Sequence, residues 1–416
     1  MADWRETTWG EEISLEYGKA LRDYANTTGP YRVYGSNGPV GWTTGALAPG
    51  PGIILGRKGA YRGVRFSKEP FFVIDTAYYV VPKSDLDMRW LYYAIIYHKL
   101  GEIDDGSPIP STTRSAVYVR TLSVPSLSEQ KSIAAVLSAL DEKIDLNRRM
   151  NETLEAMAGA IFKDWFIYFG PTRAKMEGRE AYLAPDVWEL FPERLDSDGK
   201  PEGWTKVRLS EVAVRITKGT TPTAEQIRAA PLSDQKINFV KVNALTDDGQ
   251  ILTAKLEQIP HCVHAGALRR SALQSEDILY SIAGTIGRVA FVEEQLLPAN
   301  TNQALAIIRP NTARIPSRFL VTLLRQREFV DALHVNIVHA VQANLSLSMI
   351  SNAQIILPSE KMMAKGFPTL EAIIKKQEAN NREVRTLAAL RDLVLPKLMS
   401  GKIRVNEADK VMEAVL

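Results

Sequence analysis

Seam positions, mostly apolar, recur at alternating steps of four and three along residues 128–166, at Ile133, Leu137, Leu140, Ile144, Asn147, Asn151, Leu154, Ala158, Ile161 and Trp165. The same spacing returns along 368–400, at Leu370, Ile373, Gln377, Asn380, Val384, Leu387, Arg391, Val394 and Leu398, and stops at Gly401. A mean step of about 3.5 is that of a coiled-coil seam, and a glycine just past the last periodic residue is a helix stop. At 1.5 Å per residue, a helix of about 40 residues is about 60 Å long. Its apolar stripe is unstable in water unless covered, and the simplest cover for each helix is the other, run antiparallel. Asn147, Asn151, Gln377 and Asn380 place amides at mid-seam, where they cost stability but fix register and direction. Two surface helices, each packed on its own domain, would carry the same stripes.

The segments before the two helices match landmark for landmark, which makes an internal repeat the first thing to test. Trp4 and Glu11 are spaced as Trp204 and Glu211 are, and a glycine follows in each half, Gly18 and Gly219. β-Branched and aromatic runs, 31–34 and 239–242, predict strands. Apolar pairs Ile54–Leu55 and Ile278–Leu279 lead into glycine turns, 56–64 and 283–289. Strand-like stretches 78–82 and 304–310 precede short amphipathic helices, 90–97 and 319–324. Polar loops follow, Ser111–Thr112–Thr113 and Gln342–Ala343–Asn344, and then the prolines Pro125 and Pro358 that open the long helices. The predicted fold class is mixed α+β: two pseudo-twofold-related α/β domains joined by a long antiparallel two-helix coiled coil. The expected boundaries are a first domain at 1–125, a long helix at 126–169, a linker at 170–203, a second domain at 204–359, a long helix at 360–402 and a tail at 403–416.

Composition agrees with folded domains. Of 416 residues, 45% are hydrophobic and 24% charged, which argues against a disordered chain and for more than one core. A single cysteine, Cys262, fits a reducing compartment. The first residues do not read as a signal peptide, and no stretch approaches about 20 apolar residues, so no membrane span is expected.

Net charge is only +3, but its distribution is uneven. Residues 24–68 contain no acid yet hold Arg32, Arg57, Lys58, Arg62, Arg65 and Lys68. Residues 295–327 again lack acids and hold Arg309, Arg314, Arg318, Arg325 and Arg327. Two basic segments suit an anionic polymer touched at two places. Two solvated faces balanced by nearby acids would look the same. In the turn 56–65, glycines let the backbone approach phosphate while Arg57, Lys58, Arg62 and Arg65 supply charge, and arginine also reads guanine in the major groove. The matching turn carries Arg288, with Lys218, Thr220, Lys241, Arg269 and Arg270 as helpers. Thr112, Arg114 and Gln342 in the polar loops are further candidates for base or phosphate contact. A plain β-turn with solvated arginines is the simpler alternative at both turns. His261, Cys262 and His264 lack a second ligand cluster and read as ordinary structure rather than metal. No phosphate loop, no Asn-Pro-Pro-aromatic or Asp-Pro-Pro-aromatic motif and no nucleophile elbow is present, so the expected chain is not an enzyme.

The run Leu127–Ser128–Glu129–Gln130–Lys131–Ser132–Ile133–Ala134, continued by Leu140–Asp141–Glu142–Lys143–Ile144 and by 147–157 and 162–166, is very similar to the first conserved region of type I restriction-modification specificity subunits. The segments 201–204, 218–222 and 33–38 add to this resemblance, which covers nearly the whole chain. It implies that each globular domain is a target-recognition domain reading a few base pairs of double-stranded DNA, one half-site each. It implies that the helices hold the halves apart and dock two DNA-methyltransferase subunits using S-adenosylmethionine, with no cofactor on this chain. It leaves open whether two ATP- and Mg-dependent nuclease/translocase subunits join. A prokaryotic cytoplasmic location is implied. The first domain is shorter than the second, which departs from equal halves. Rival readings are a helical protein scaffold without DNA sequence recognition and a fused modification enzyme; the missing motifs argue against the latter.

Overall fold

The computed structural model describes residues 4–59, 61–104, 106, 108–335, 345–405 and 407–408. The chain divides into two compact units, Met1–Glu152 with Glu378–Leu416, and Thr153–Gln377. Each unit combines one α/β domain with stretches of two long helices.

In the first unit the strands are β1 (Arg5–Thr8), β2 (Ile13–Tyr17), β3 (Tyr31–Gly35), β4 (Gly38–Thr43), β5 (Gly52–Gly56), β6 (Val64–Ser67), β7 (Phe71–Val73), β8 (Ala77–Pro82) and β9 (Thr121–Val124). They form a four-stranded sheet ordered β2-β8-β5-β6, a three-stranded sheet β4-β3-β7 and a pair β1-β9. The second unit holds β10 (Thr205–Arg208), β11 (Ala213–Lys218), β12 (Lys236–Val240), β13 (Glu257–Pro260), β14 (Ile278–Ser281), β15 (Val289–Phe291), β16 (Ala299–Thr301), β17 (Leu305–Pro310) and β18 (Gln354–Leu357). Their orders are β11-β17-β14-β15, β13-β12-β16 and β10-β18. Strand for strand the topologies are the same, including one parallel pairing in each half, β3 with β7 and β12 with β16. The repeat inferred from matched landmarks is therefore a repeat of fold.

The halves differ in their connections, which accounts for the longer second domain. β3 and β4 are joined by Ser36 and Asn37 alone, whereas β12 and β13 are separated by residues 241–256. Val242, read from sequence as part of a strand, instead begins the 3-10 turn Val242–Ala244.

The first long helix spans Leu127–Phe162 and continues as a π-helical turn, Lys163–Ile167. Ser126 caps it, its hydroxyl accepting from the Glu129 amide. The second spans Phe367–Met399. Gly401 adopts φ +65° and its amide donates to the Leu398 carbonyl, so the stop is a left-handed glycine cap.

Within the first unit the two helix stretches run antiparallel. Asp141 pairs with Arg391 at 3.0 Å, Asn147 with Glu383 at 2.9 Å and Asn151 with Asn380 at 2.9 Å, one number rising as the other falls. Ile133, Leu137, Leu140 and Ile144 are buried in one core with Leu387, Val394, Leu398 and, partly exposed, Val384. That core is continuous with the domain through Trp9, Trp90 and Tyr93. In the second unit Ala158, Ile161 and Phe162 share a core with Leu370 and Ile373, while Leu154 is half-buried. An aromatic cluster ties the helix end to the second domain there: Phe166 stacks on Trp204 and meets Phe319 edge-on, and Phe319 meets Phe367.

Candidate nucleic-acid interface

Three segments far apart in sequence meet in the first domain. The turn after β5 closes when the Gly56 amide donates to the Gly63 carbonyl at 2.9 Å. It docks on the β3–β4 hairpin tip, where the Gly63 amide donates to the Ser36 carbonyl at 2.8 Å. Only glycine fits at 56, because a Cβ there would stand 2.2 Å from that same Ser36 oxygen. The polar loop joins from the other side. The Gly59 amide donates to Pro110 at 3.0 Å, the Thr112 amide donates to Arg57 at 2.9 Å, and Lys58 bridges Ser111. Turn and polar loop, proposed separately from sequence, thus form one surface.

The side chains on this surface divide into structural and free groups. The Arg62 guanidinium donates to three backbone carbonyls, Gly101 at 3.0 Å, Gly59 at 2.9 Å and Ile103 at 3.0 Å. Arg65 donates to Asn37 O at 3.2 Å and Val64 O at 3.4 Å. Thr112 is wholly buried, its hydroxyl bonded to Leu100 O and Ile103 O. These three candidates hold the loops together. Arg57 donates to Asp75 O at 3.1 Å and lies over the Tyr17 ring at 4.8 Å, while Arg114 covers the same ring at 4.2 Å and donates to Leu15 O. Two guanidinium groups thus flank Tyr17, with Glu16 3.5 Å from Arg114. Burial pushes the adjoining Tyr78 phenol up to about 12. Lys58 is exposed and its ammonium has no partner among the described residues, and Tyr61 is 79% exposed.

The second domain repeats two of these backbone bonds. The Ser281 amide donates to Arg288 O at 2.9 Å, as Gly56 does to Gly63, and the Leu345 amide donates to Ile282 O at 3.0 Å, as Thr112 does to Arg57. Arg288 is again internal: it pairs with Asp247 at 2.6 Å and donates to Leu245 O at 2.9 Å, both in the long β12–β13 connection. Lys218 and Thr220 are exposed at the end of β11. The Gly219 amide between them donates to Leu305, the strand partner of Ser281, so this end lies one strand from the turn. Lys241 is paired with Glu257. Arg269 is exposed beside Arg270, whose carbonyl accepts from Arg215, and no bond among the described residues links it to the turn. Gln342 lies outside the described residues. Near His261, the Cys262 amide donates to the Asp234 carboxylate and His264 bonds Asn300. Among the described residues no group of three His, Cys, Asp or Glu could hold a metal ion.

Two copies of the type I restriction modification DNA specificity domain match the chain, over residues 23–156 and 201–384. Together they cover more than half of it. The chain belongs to this family. It is 25% identical over 383 residues to the HindI type I restriction enzyme specificity subunit of Haemophilus influenzae, covering 80% of this chain and 81% of that one. It is 26% identical over 366 residues to the MjaIX specificity subunit of Methanocaldococcus jannaschii, covering 85% and 78%. The fold is that of the S subunit of a type I restriction-modification system from M. genitalium, at a TM-score of 0.64 and 16% identity over 95% of this chain and 96% of that one. As a family member the chain is a specificity subunit. No helix among the described residues is long and apolar enough to cross a membrane.

Sequence reasoning from charge ranked the arginines first and passed over Tyr17, Asn37 and Tyr61. Tyr17 could not be placed without knowing that β2 and β8 pair, bringing Tyr17 opposite Tyr78. Asn37 and Tyr61 stood within the acid-free segment, but a charge inventory gives neutral side chains no weight.

Proposed function

We propose that this chain selects the target of a type I restriction-modification complex by reading a bipartite double-stranded DNA site, one half-site per domain. The observation that carries this is the duplicated turn in two domains of one topology: it is closed by the same backbone bond, Gly56 to Gly63 and Ser281 to Arg288, and a later segment bonds to it, Thr112 to Arg57 and Leu345 to Ile282. Two equivalent reading surfaces on one chain fit two half-sites with an unread spacer. A scaffold without DNA recognition gains no support from the family match.

In this proposal affinity comes from phosphate contacts and sequence from base contacts. Lys58, Lys218 and Arg269 are exposed cations suited to phosphate. Arg57 and Arg114, held against Tyr17, present guanidinium N–H groups of fixed orientation, which lowers the ordering cost of gripping an anion. Arg62, Arg65, Thr112 and Arg288 hold the loops. The chain performs no chemistry itself. It docks two DNA-methyltransferase subunits carrying S-adenosylmethionine, and the ATP and Mg of any two nuclease/translocase subunits reside on those partners, in a prokaryotic cytoplasm.

The test is methylation mapping of DNA from cells expressing this chain with its methyltransferase subunit. The expected result is one motif of two specific halves around a fixed unspecific gap. A single continuous motif, or none, would contradict the proposal.

A further inference from the structure

The reading surface of the first domain has many polar groups, but most are already committed. Arg62 is spent on three carbonyls and Arg65 on two. The Ser36 hydroxyl donates to Thr76 O and accepts from the Lys58 amide. Thr112 is buried, and the Thr113 hydroxyl caps the short helix Arg114–Tyr118. Arg57 and Arg114 are held against the Tyr17 ring, and the exposed side chains of this surface with no partner among the described residues are Lys58, Tyr61 and Asn37. A lysine ammonium is a point charge with donors only, and a tyrosine ring stacks on any base, so neither distinguishes base pairs well.

Asn37 differs. It is exposed, and among the described residues its side-chain amide has no partner. Its backbone, by contrast, is fixed. It sits in the two-residue connection of a hairpin in which Gly35 pairs with Gly38, and its carbonyl accepts from Arg65 Nη2 at 3.2 Å. Gly38, at φ +132°, makes room for that guanidinium, since a Cβ there would lie 3.0 Å from Arg65 Nε. The neighbouring Ser36 carbonyl is tied to Gly63. A free donor–acceptor pair on an immobilised tip is what recognition of one base edge requires, because little entropy is lost on binding.

We propose that Asn37 is a specificity-determining residue of the first domain, its amide accepting from adenine N6 and donating to adenine N7 in the major groove of the half-site that this domain reads. The inference rests on the bipartite-reader function proposed above and adds to it the residue and the base. An asparagine amide makes this paired contact with adenine alone. An aspartate of the same shape offers only acceptors and suits cytosine N4 instead.

The experiment is selection from a duplex pool randomised across both half-sites and the gap, using the chain assembled with its methyltransferase subunits. Wild type, Asn37→Ala and Asn37→Asp are compared, with melting curves of each to establish equal folding. With Asn37→Ala, preference for adenine at one position of one half-site is expected to fall about ten- to a hundredfold. The other half-site and the dependence of binding on salt stay as in wild type. With Asn37→Asp the same position is expected to shift toward cytosine. If wild type selects a bipartite motif and Asn37→Ala selects the identical one, Asn37 does not read a base and the bipartite function stands. If wild type selects no bipartite motif, both proposals fall.

Discussion

At the scale of single residues, the arginines of the first reading surface divide by what their N–H groups already hold. Arg62 serves carbonyls of the buried residues Gly101 and Ile103. Arg62→Ala removes the guanidinium donor from Gly101 O and leaves Ile103 O only the Thr112 hydroxyl, and should destabilise the protein by about 2–4 kcal/mol, read as a shift in the denaturant midpoint. Lys58→Ala should leave that midpoint in place and lower the slope of log K against log salt by about one. Equal effects of the two substitutions on both measurements would refute the division. Glu12, buried in the same domain, accepts from Arg5, Thr7 and Ser84. The Arg5 bond above all holds its carboxyl down at about 2, against an ordinary 4.5. The folded state therefore binds this proton more weakly than the unfolded one. Its contribution is full above the ordinary carboxylate range and is lost as pH falls through it toward 2. Replacement by Gln should flatten the acid limb of the stability–pH curve, measured by denaturation between pH 5 and pH 2. At this scale the sequence was least legible. The roles of Arg62 and Arg288 depend on which carbonyls lie within 3 Å, and that is set by pairings between loops distant in the chain.

At the scale of elements, period carried most of the information. Both helices could be read to within a few residues because an apolar stripe at four-three spacing has no strand equivalent, and because Pro125 and Gly401 mark a start and a stop. The three-stranded sheets were harder, since the β12–β13 pairing spans a connection with no hairpin signal. Asn147, Asn151 and Asn380 form a buried amide layer in the first unit, joined by Glu383 and Asn381. Asn380→Ala removes the bond that its amide donates to Asn151 Oδ1 within this buried layer and should cost about 1–3 kcal/mol in chemical denaturation. The double change to Leu at 151 and 380 should recover most of that loss, because neither position then holds an amide to satisfy and Asn381, which loses its donor, is only half-buried. A double variant weaker than the single one would show that the amides act through something other than satisfying each other.

At the scale of the molecule, the chain is one fold written twice, and each long helix runs from one compact unit into the other. Duplication was visible from landmarks such as Trp4 and Trp204 because the residues that close each repeat are few and their order is fixed by topology. The half-site each copy reads was not visible, because it depends on side chains at loop tips. We propose that the two long helices set the spacing between the two half-site readers. The most direct test inserts one heptad into each helix, between Glu152 and Thr153 and between Gln377 and Glu378, preserving the seam while adding about 10 Å, close to three base-pair rises. Selection from a randomised duplex pool should return both half-sites unchanged with a gap about three base pairs longer. An unchanged gap, with the half-sites intact, would contradict it.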